Sequence, residues 1–164
     1  PVTLPAVSGY SGGGRQMIEA YERGDAPAYF LYALGMQHKH IPEIMRYSRM
    51  QRQPVFTPSV GNFAQGMLVQ LPLHLDLLPT QPDMARLQAI YQEYYAGSTS
   101  VSVTQPTVDN TLDALALNNT NALEVRVFGN SEKKQAVAVA RLDNLGKGAS
   151  GAAVQNLQLM LGLD

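Results

Sequence analysis

Gly66-Met67-Leu68-Val69-Gln70-Leu71-Pro72-Leu73-His74-Leu75-Asp76-Leu77 reads as one long β-strand. Met67, Val69, Leu71, Leu73, Leu75 and Leu77 alternate with Leu68, Gln70, Pro72, His74 and Asp76. A side-chain period of two therefore puts six apolar residues on one face and a mostly polar set on the other. Such a half-apolar strand belongs to a largely antiparallel sheet. Its apolar face needs a helix layer or a second subunit. His74 falls on the polar face and reads as structural or interfacial.

Working outward, Leu123–Phe128 and Gln135–Leu142 read as a hairpin across Gly129-Asn130-Ser131-Glu132. Val2–Ser8 and Tyr29–Leu34 read as strands, and Val101 and Val103 as part of a short one. Val55–Val60 reads as an edge strand, because Pro58 cannot donate to a ladder. Helices are expected over Arg15–Arg23, over Pro42 to about Met50, and from an Asp83 cap to about Tyr95. In the last of these, Met84, Leu87, Ile90, Tyr91 and Tyr94 form a core stripe. Gln105–Asn121 is turn-rich and polar and reads as a long loop, a length that is often functional. The resulting fold class is α+β: a mixed, largely antiparallel sheet with helices on one face.

A chain of 164 residues makes one domain, with room for a short annex. Only 15% of it is charged, which leaves surface free for burial against a partner. The formal net charge of −1 gives no argument for nucleic acid or for an anionic membrane. No apolar run approaches the ~18 residues of a membrane span. There is no cysteine, hence no disulfide framework and no cysteine nucleophile in these residues. Pro1-Val2-Thr3-Leu4 is neither an initiator methionine nor a signal peptide, and suggests a fragment or a processed chain.

Chemistry concentrates in Gln37-His38-Lys39-His40-Ile41-Pro42-Glu43-Ile44, which holds two of the three histidines. In extended backbone His38 and His40 would point the same way. Pro42 and Glu43 then suit the first turn of a helix. The cluster can be a solvated strand end, an incomplete metal site, or an acid–base pair. Zinc needs three or four ligands, and the chain offers few, so no metal is expected. Imidazole titrates near neutral pH and suits proton transfer. A second candidate is Gly9-Tyr10-Ser11-Gly12-Gly13-Gly14 between a strand and a helix, an anion site with Arg15 as a forked donor.

Gly146, Gly148 and Gly151 fit G-x-G-x-x-G, but only 13 residues follow Gly151. That leaves no room for the second strand, or for the acid about 20 residues on, that a dinucleotide fold needs. The last helix carries Val154, Leu157 and Leu161 on one face, which needs something to pack on.

Three stretches occur in the order of one family. They are Ala6-Val7-Ser8-Gly9-Tyr10-Ser11-Gly12-Gly13-Gly14-Arg15, the His38–Glu43 run, and Leu142-Asp143-Asn144-Leu145-Gly146-Lys147-Gly148 with its continuation to Asn156. The sequence resembles the later part of N-acetyl-γ-glutamyl-phosphate reductase in its shorter, type 2 form. The resemblance implies a cytoplasmic NADP-dependent enzyme of arginine biosynthesis that reduces an acyl phosphate to a semialdehyde. It implies a fold like the C-terminal domain of glyceraldehyde-3-phosphate dehydrogenase-like enzymes, acting as a homodimer or higher homo-oligomer.

Residues 1–147 would be the catalytic and dimerisation domain. Residues 148–164 would form a helix docking on an NADP-binding Rossmann domain that this sequence lacks, together with the family's cysteine. By the motif match, His40 is the acid–base residue, and His38 and Glu43 orient it or the substrate. Ser11, Gly12 and Arg15 hold phosphate or carboxylate, and Asn144 and Gly148 lie near the nicotinamide. The same pattern suits a lysine-pathway relative, or a non-catalytic interaction module on the same fold.

Overall fold

The computed structural model describes residues 1–163; Asp164, the end of the expected C-terminal segment, lies outside them. Seven strands form one sheet in the order β2-β3-β1-β4-β7-β6-β5. They are β1 Thr3–Gly9, β2 Tyr29–Leu31, β3 Val55–Gly61, β4 Met67–His74, β5 Val101–Thr104, β6 Leu123–Asn130 and β7 Gln135–Leu142. The β1/β3 and β5/β6 pairs are parallel and the other four are antiparallel. The helices are α1 Arg15–Glu22, α2 Ile41–Ser48, α3 Met84–Tyr94 and α4 Gly151–Leu161.

The alternating strand became β4, and its apolar side carries the core. Val69 packs with Ala6, Phe56 and Ile41, and on the same face Leu71 and Leu73 pack with Val127, Ala138 and Leu87. Ile41 belongs to α2 and Leu87 to α3, so two helices cover one face of the sheet. The strand is shorter than expected: Leu75–Leu77 turn into a 3-10 helix, which buries Leu75 and leaves Leu77 exposed. Asp83 caps α3 by accepting the Arg86 N–H at 2.7 Å.

β3 is not an edge strand; it lies between β2 and β1. The Pro58 carbonyl accepts the Tyr32 N–H at 3.1 Å. A strand residue's N–H and C=O point the same way, so the donor that Pro58 lacks faces the end of three-residue β2, where little pairing is lost. The ladder with β1 stays intact, and the buried Ser59 hydroxyl adds a bond to the Ala6 carbonyl at 2.7 Å.

The open face of β4 carries Leu68, Gln70, Pro72 and His74 in register with Arg141, Val139, Val137 and Gln135. Loop 105–121 lies over part of it. Arg141 donates to the Asp113 carbonyl at 3.0 Å, and Arg126 donates to the Gln105 carbonyl.

After β7 the chain makes a π-helical turn, Gly146–Ser150, and runs into α4. Packing explains two of the three G-x-G-x-x-G glycines. A Cβ on Gly146 would run into the Thr120 carbonyl, and one on Gly151 into the Asn121 side chain. Gly146→Ala should therefore cost about 1–3 kcal/mol, because the obstacle is backbone. Urea unfolding checks this, and a wild-type midpoint would contradict it. Beyond this turn α4 packs little. Val154, Leu157 and Leu161 are 56%, 55% and 61% exposed.

Candidate active site

The carboxyl ends of parallel β1 and β3 open into a cleft of about 560 Å³. Three segments wall it: the glycine-rich turn 9–14, the histidine turn before α2, and the start of the π-helical turn.

The glycine-rich turn is anchored by its own backbone. The N–H groups of Gly9, Tyr10 and Ser11 donate to the carbonyls of Gly66, Phe63 and Ala64 at 2.9, 2.9 and 3.2 Å. A Cβ on Gly9 would stand 2.5 Å from the Ala64 oxygen, so only glycine permits this approach. Gly12 and Gly13 are thereby held at the cleft.

The histidines sit in a turn, not in the extended segment that their spacing suggested. Ile41 N–H donates to the His38 carbonyl at 3.0 Å, and His40 N–H donates to His38 Nδ1 at 3.1 Å. The turn still brings the rings together, with centroids 4.8 Å apart. His38 is half-buried, edge-on to Phe56 at 5.1 Å and tilted against Tyr32 at 5.5 Å. Burial, and then the neighbouring His40 and Lys39, lower the His38 pKa below its ordinary value. With Nδ1 accepting, the neutral ring carries its hydrogen on Nε2. His40 is exposed beside it and precedes α2.

Asp143 and Asn144 fix the third wall. Asp143 is buried, and burial alone would raise its pKa. Backbone N–H donors from Leu145, Asn119 and Gly146, with the Gln65 amide, outweigh this and lower it. Asn144 Oδ1 accepts the Gly66 N–H at 2.9 Å, and its Nδ2 donates to Ser11 Oγ at 2.9 Å.

Residues 1–144 match the family model described as semialdehyde dehydrogenase, dimerisation domain. N-acetyl-γ-glutamyl-phosphate reductases of Brucella ovis and Brucella melitensis biotype 2 are 47% identical over 99% of this chain. The chain belongs to the semialdehyde dehydrogenase dimerisation-domain family. It spans 55% of the length of those two relatives. Solved structures of the aspartate semialdehyde dehydrogenase II of Vibrio cholerae and of a probable aspartate-semialdehyde dehydrogenase of Pseudomonas aeruginosa share the fold. Both give a TM-score of 0.65, at 12% and 14% identity, over 98% of this chain and 54% of theirs.

In this family member the cleft gathers Ser11, Gly12, His38, His40, Asn144 and Gly148. Arg15 and Glu43 are not brought to it. Arg15 opens α1 with its side chain 91% exposed and paired one turn on to Glu19 at 2.7 Å. Glu43 is exposed on α2, because Ile41, Ile44 and Met45 turn the other side of that helix to the core. Sequence reasoning missed Ser8, Tyr32 and Lys39, which also line the cleft. The position of Lys39 between the two histidines was its one available signal. Among the described residues no group of three or more His, Cys, Asp or Glu side chains is placed to hold a metal.

Proposed function

We propose that this chain is the catalytic and dimerisation part of a cytoplasmic, NADP-dependent N-acetyl-γ-glutamyl-phosphate reductase of arginine biosynthesis. The observation that carries this is the single cleft joining the paired imidazoles to Ser11, Gly12 and Asn144, in a chain 47% identical to such reductases. His40, exposed at the cleft, takes the thiol proton as sulfur bonds to the acyl carbon and phosphate leaves. It gives a proton to the carbonyl oxygen as hydride adds to that carbon, and takes it back as the carbon–sulfur bond breaks and the semialdehyde forms. His38 is the neutral partner whose Nδ1 holds the His40 backbone. Ser11 and Gly12 meet the phosphate end, assisted by the cationic Lys39. Arg15 reaches that end only by leaving Glu19.

The thiol belongs to the rest of a longer protein, since these residues include no cysteine. Gly148 and Ala149 offer no side chain beyond Cβ at the cleft, and Asn144 lies beside them. This surface fits a flat nicotinamide, and NADPH when bound supplies the hydride. The exposed apolar side of α4 is the surface that docks on the Rossmann domain.

The 164-residue chain alone should show no NADPH-dependent turnover of acyl phosphate. Measurable turnover by the pure chain would refute this division of labour. The chain should also form a homodimer through the open face around Gln70, Pro72 and His74. Pro72, Phe128 and Val137 line a hollow there of about 520 Å³. A two-fold pairing of such a patch closes on itself. Sedimentation reads this directly, and a monomer at tens of micromolar protein would contradict it.

A further inference from the structure

The hydrogen-bond polarity at Ser11 is fixed by a backbone group. Gly66 N–H can only donate, so the Asn144 atom 2.9 Å away is the amide oxygen. The other end of that amide, Nδ2, must then face Ser11 Oγ, also at 2.9 Å. An NH2 group only donates, so Ser11 Oγ accepts here and its own hydrogen points elsewhere. No bond donated by the Ser11 hydroxyl is found among the described residues, and the nearby Ser8 hydroxyl donates its own hydrogen to the Gly9 carbonyl at 3.1 Å. Ser11 lines the cleft. Gly12 keeps the arrangement open, since a Cβ there would stand 3.3 Å from Ser8 Oγ and 3.5 Å from Asn144 Nδ2.

We propose that Ser11 donates its hydroxyl hydrogen to an anionic oxygen of the bound acyl phosphate, and that Asn144 is the positioning residue that fixes this direction. The relay runs Gly66 N–H, Asn144 amide, Ser11 hydroxyl, substrate oxyanion. Each link is a donor meeting an acceptor, and the last is charge-assisted. This rests on the reductase reading and assigns one hydroxyl of that site its polarity and its ligand.

The test uses the longer protein. Ser11→Ala should raise the KM for acyl phosphate roughly tenfold to hundredfold, the worth of a hydrogen bond to a charged group, and leave the KM for NADPH unmoved. Ser11→Thr keeps the hydroxyl and should recover most of the loss. Asn144→Asp keeps the acceptor for Gly66 but replaces the Nδ2 donor by a second acceptor. The Ser11 hydrogen would turn onto that carboxylate, so this variant should also raise the KM for acyl phosphate. The double variant should then be little worse than either single one. An active enzyme whose Ser11→Ala variant keeps its KM, or whose two effects multiply, would overturn the inference alone. A longer protein with no reductase turnover removes the reading beneath it as well.

Discussion

His40→Ala in the longer protein should lower kcat by about 10²–10⁴-fold and change KM little, the usual share of a general acid–base residue. The expectation follows from exposure and from backbone placement. His40 stands at the cleft with its N–H held by His38 Nδ1 at 3.1 Å, and its carbonyl accepts the Ile44 N–H at 2.9 Å. The backbone is thus fixed while the imidazole remains at the cleft, where it can meet a thiol and a substrate oxygen. His38→Ala should be milder, because its ring supports the turn and is packed among Tyr32, Phe56 and His40. Steady-state kinetics of both variants reads the split. A His40→Ala enzyme with near wild-type kcat would contradict the assignment.

Glu124→Ala should be strongly destabilising although it lies away from the cleft. The Glu124 carboxylate accepts Arg126 Nε at 2.7 Å, Arg126 Nη2 at 3.0 Å and Arg141 Nη2 at 2.8 Å. Glu124 and Arg141 are each only 8% exposed. Removing the anion would leave two guanidinium groups under loop 105–121 with no counter-charge, and the Arg141 Nε is already buried without a partner. Breaking such a buried set costs about 3–5 kcal/mol. Burial alone would raise the Glu124 pKa, but the hydrogen bonds from Arg126 and the charges of Arg141 and Arg126 hold it below its ordinary value. The stability it contributes is therefore present above the unfolded carboxylate range and is lost as pH falls through the lowered folded value. Urea unfolding at neutral pH measures the cost. A loss below about 1 kcal/mol, on the scale of an exposed pair, would contradict the account.

The sheet and its helix-covered face were legible in the alternation of β4, because a period of two with one apolar side leaves one arrangement. The α3 cap at Asp83 and the hairpin of β6 and β7 were legible for the same local reasons. Pro58 misled, since a missing donor says only that one side of one residue is unpaired. The short partner β2 absorbed that gap inside the sheet. The histidine turn misled in another way: a spacing of two implies a shared face only in extended backbone, and here a four-residue turn, His38 to Ile41, achieved the same meeting of rings.

The Glu124–Arg126–Arg141 cluster was invisible because its members come from two strands, and their burial depends on a loop whose path no local pattern fixes. Within the site, the Asn144–Ser11 bond joins residues 133 positions apart. No spacing rule reaches that far. The family motifs brought both residues into view through the resemblance, but not the direction of the hydrogen bond between them.

The measurement that tests the central claim most directly is NADPH oxidation by the longer protein with N-acetyl-γ-glutamyl phosphate, followed together with release of inorganic phosphate. The account predicts that both occur in equal amounts, depend on the acyl phosphate, and exceed the rates with a lysine-pathway acyl phosphate. A longer protein that oxidises no NADPH with this substrate would contradict it.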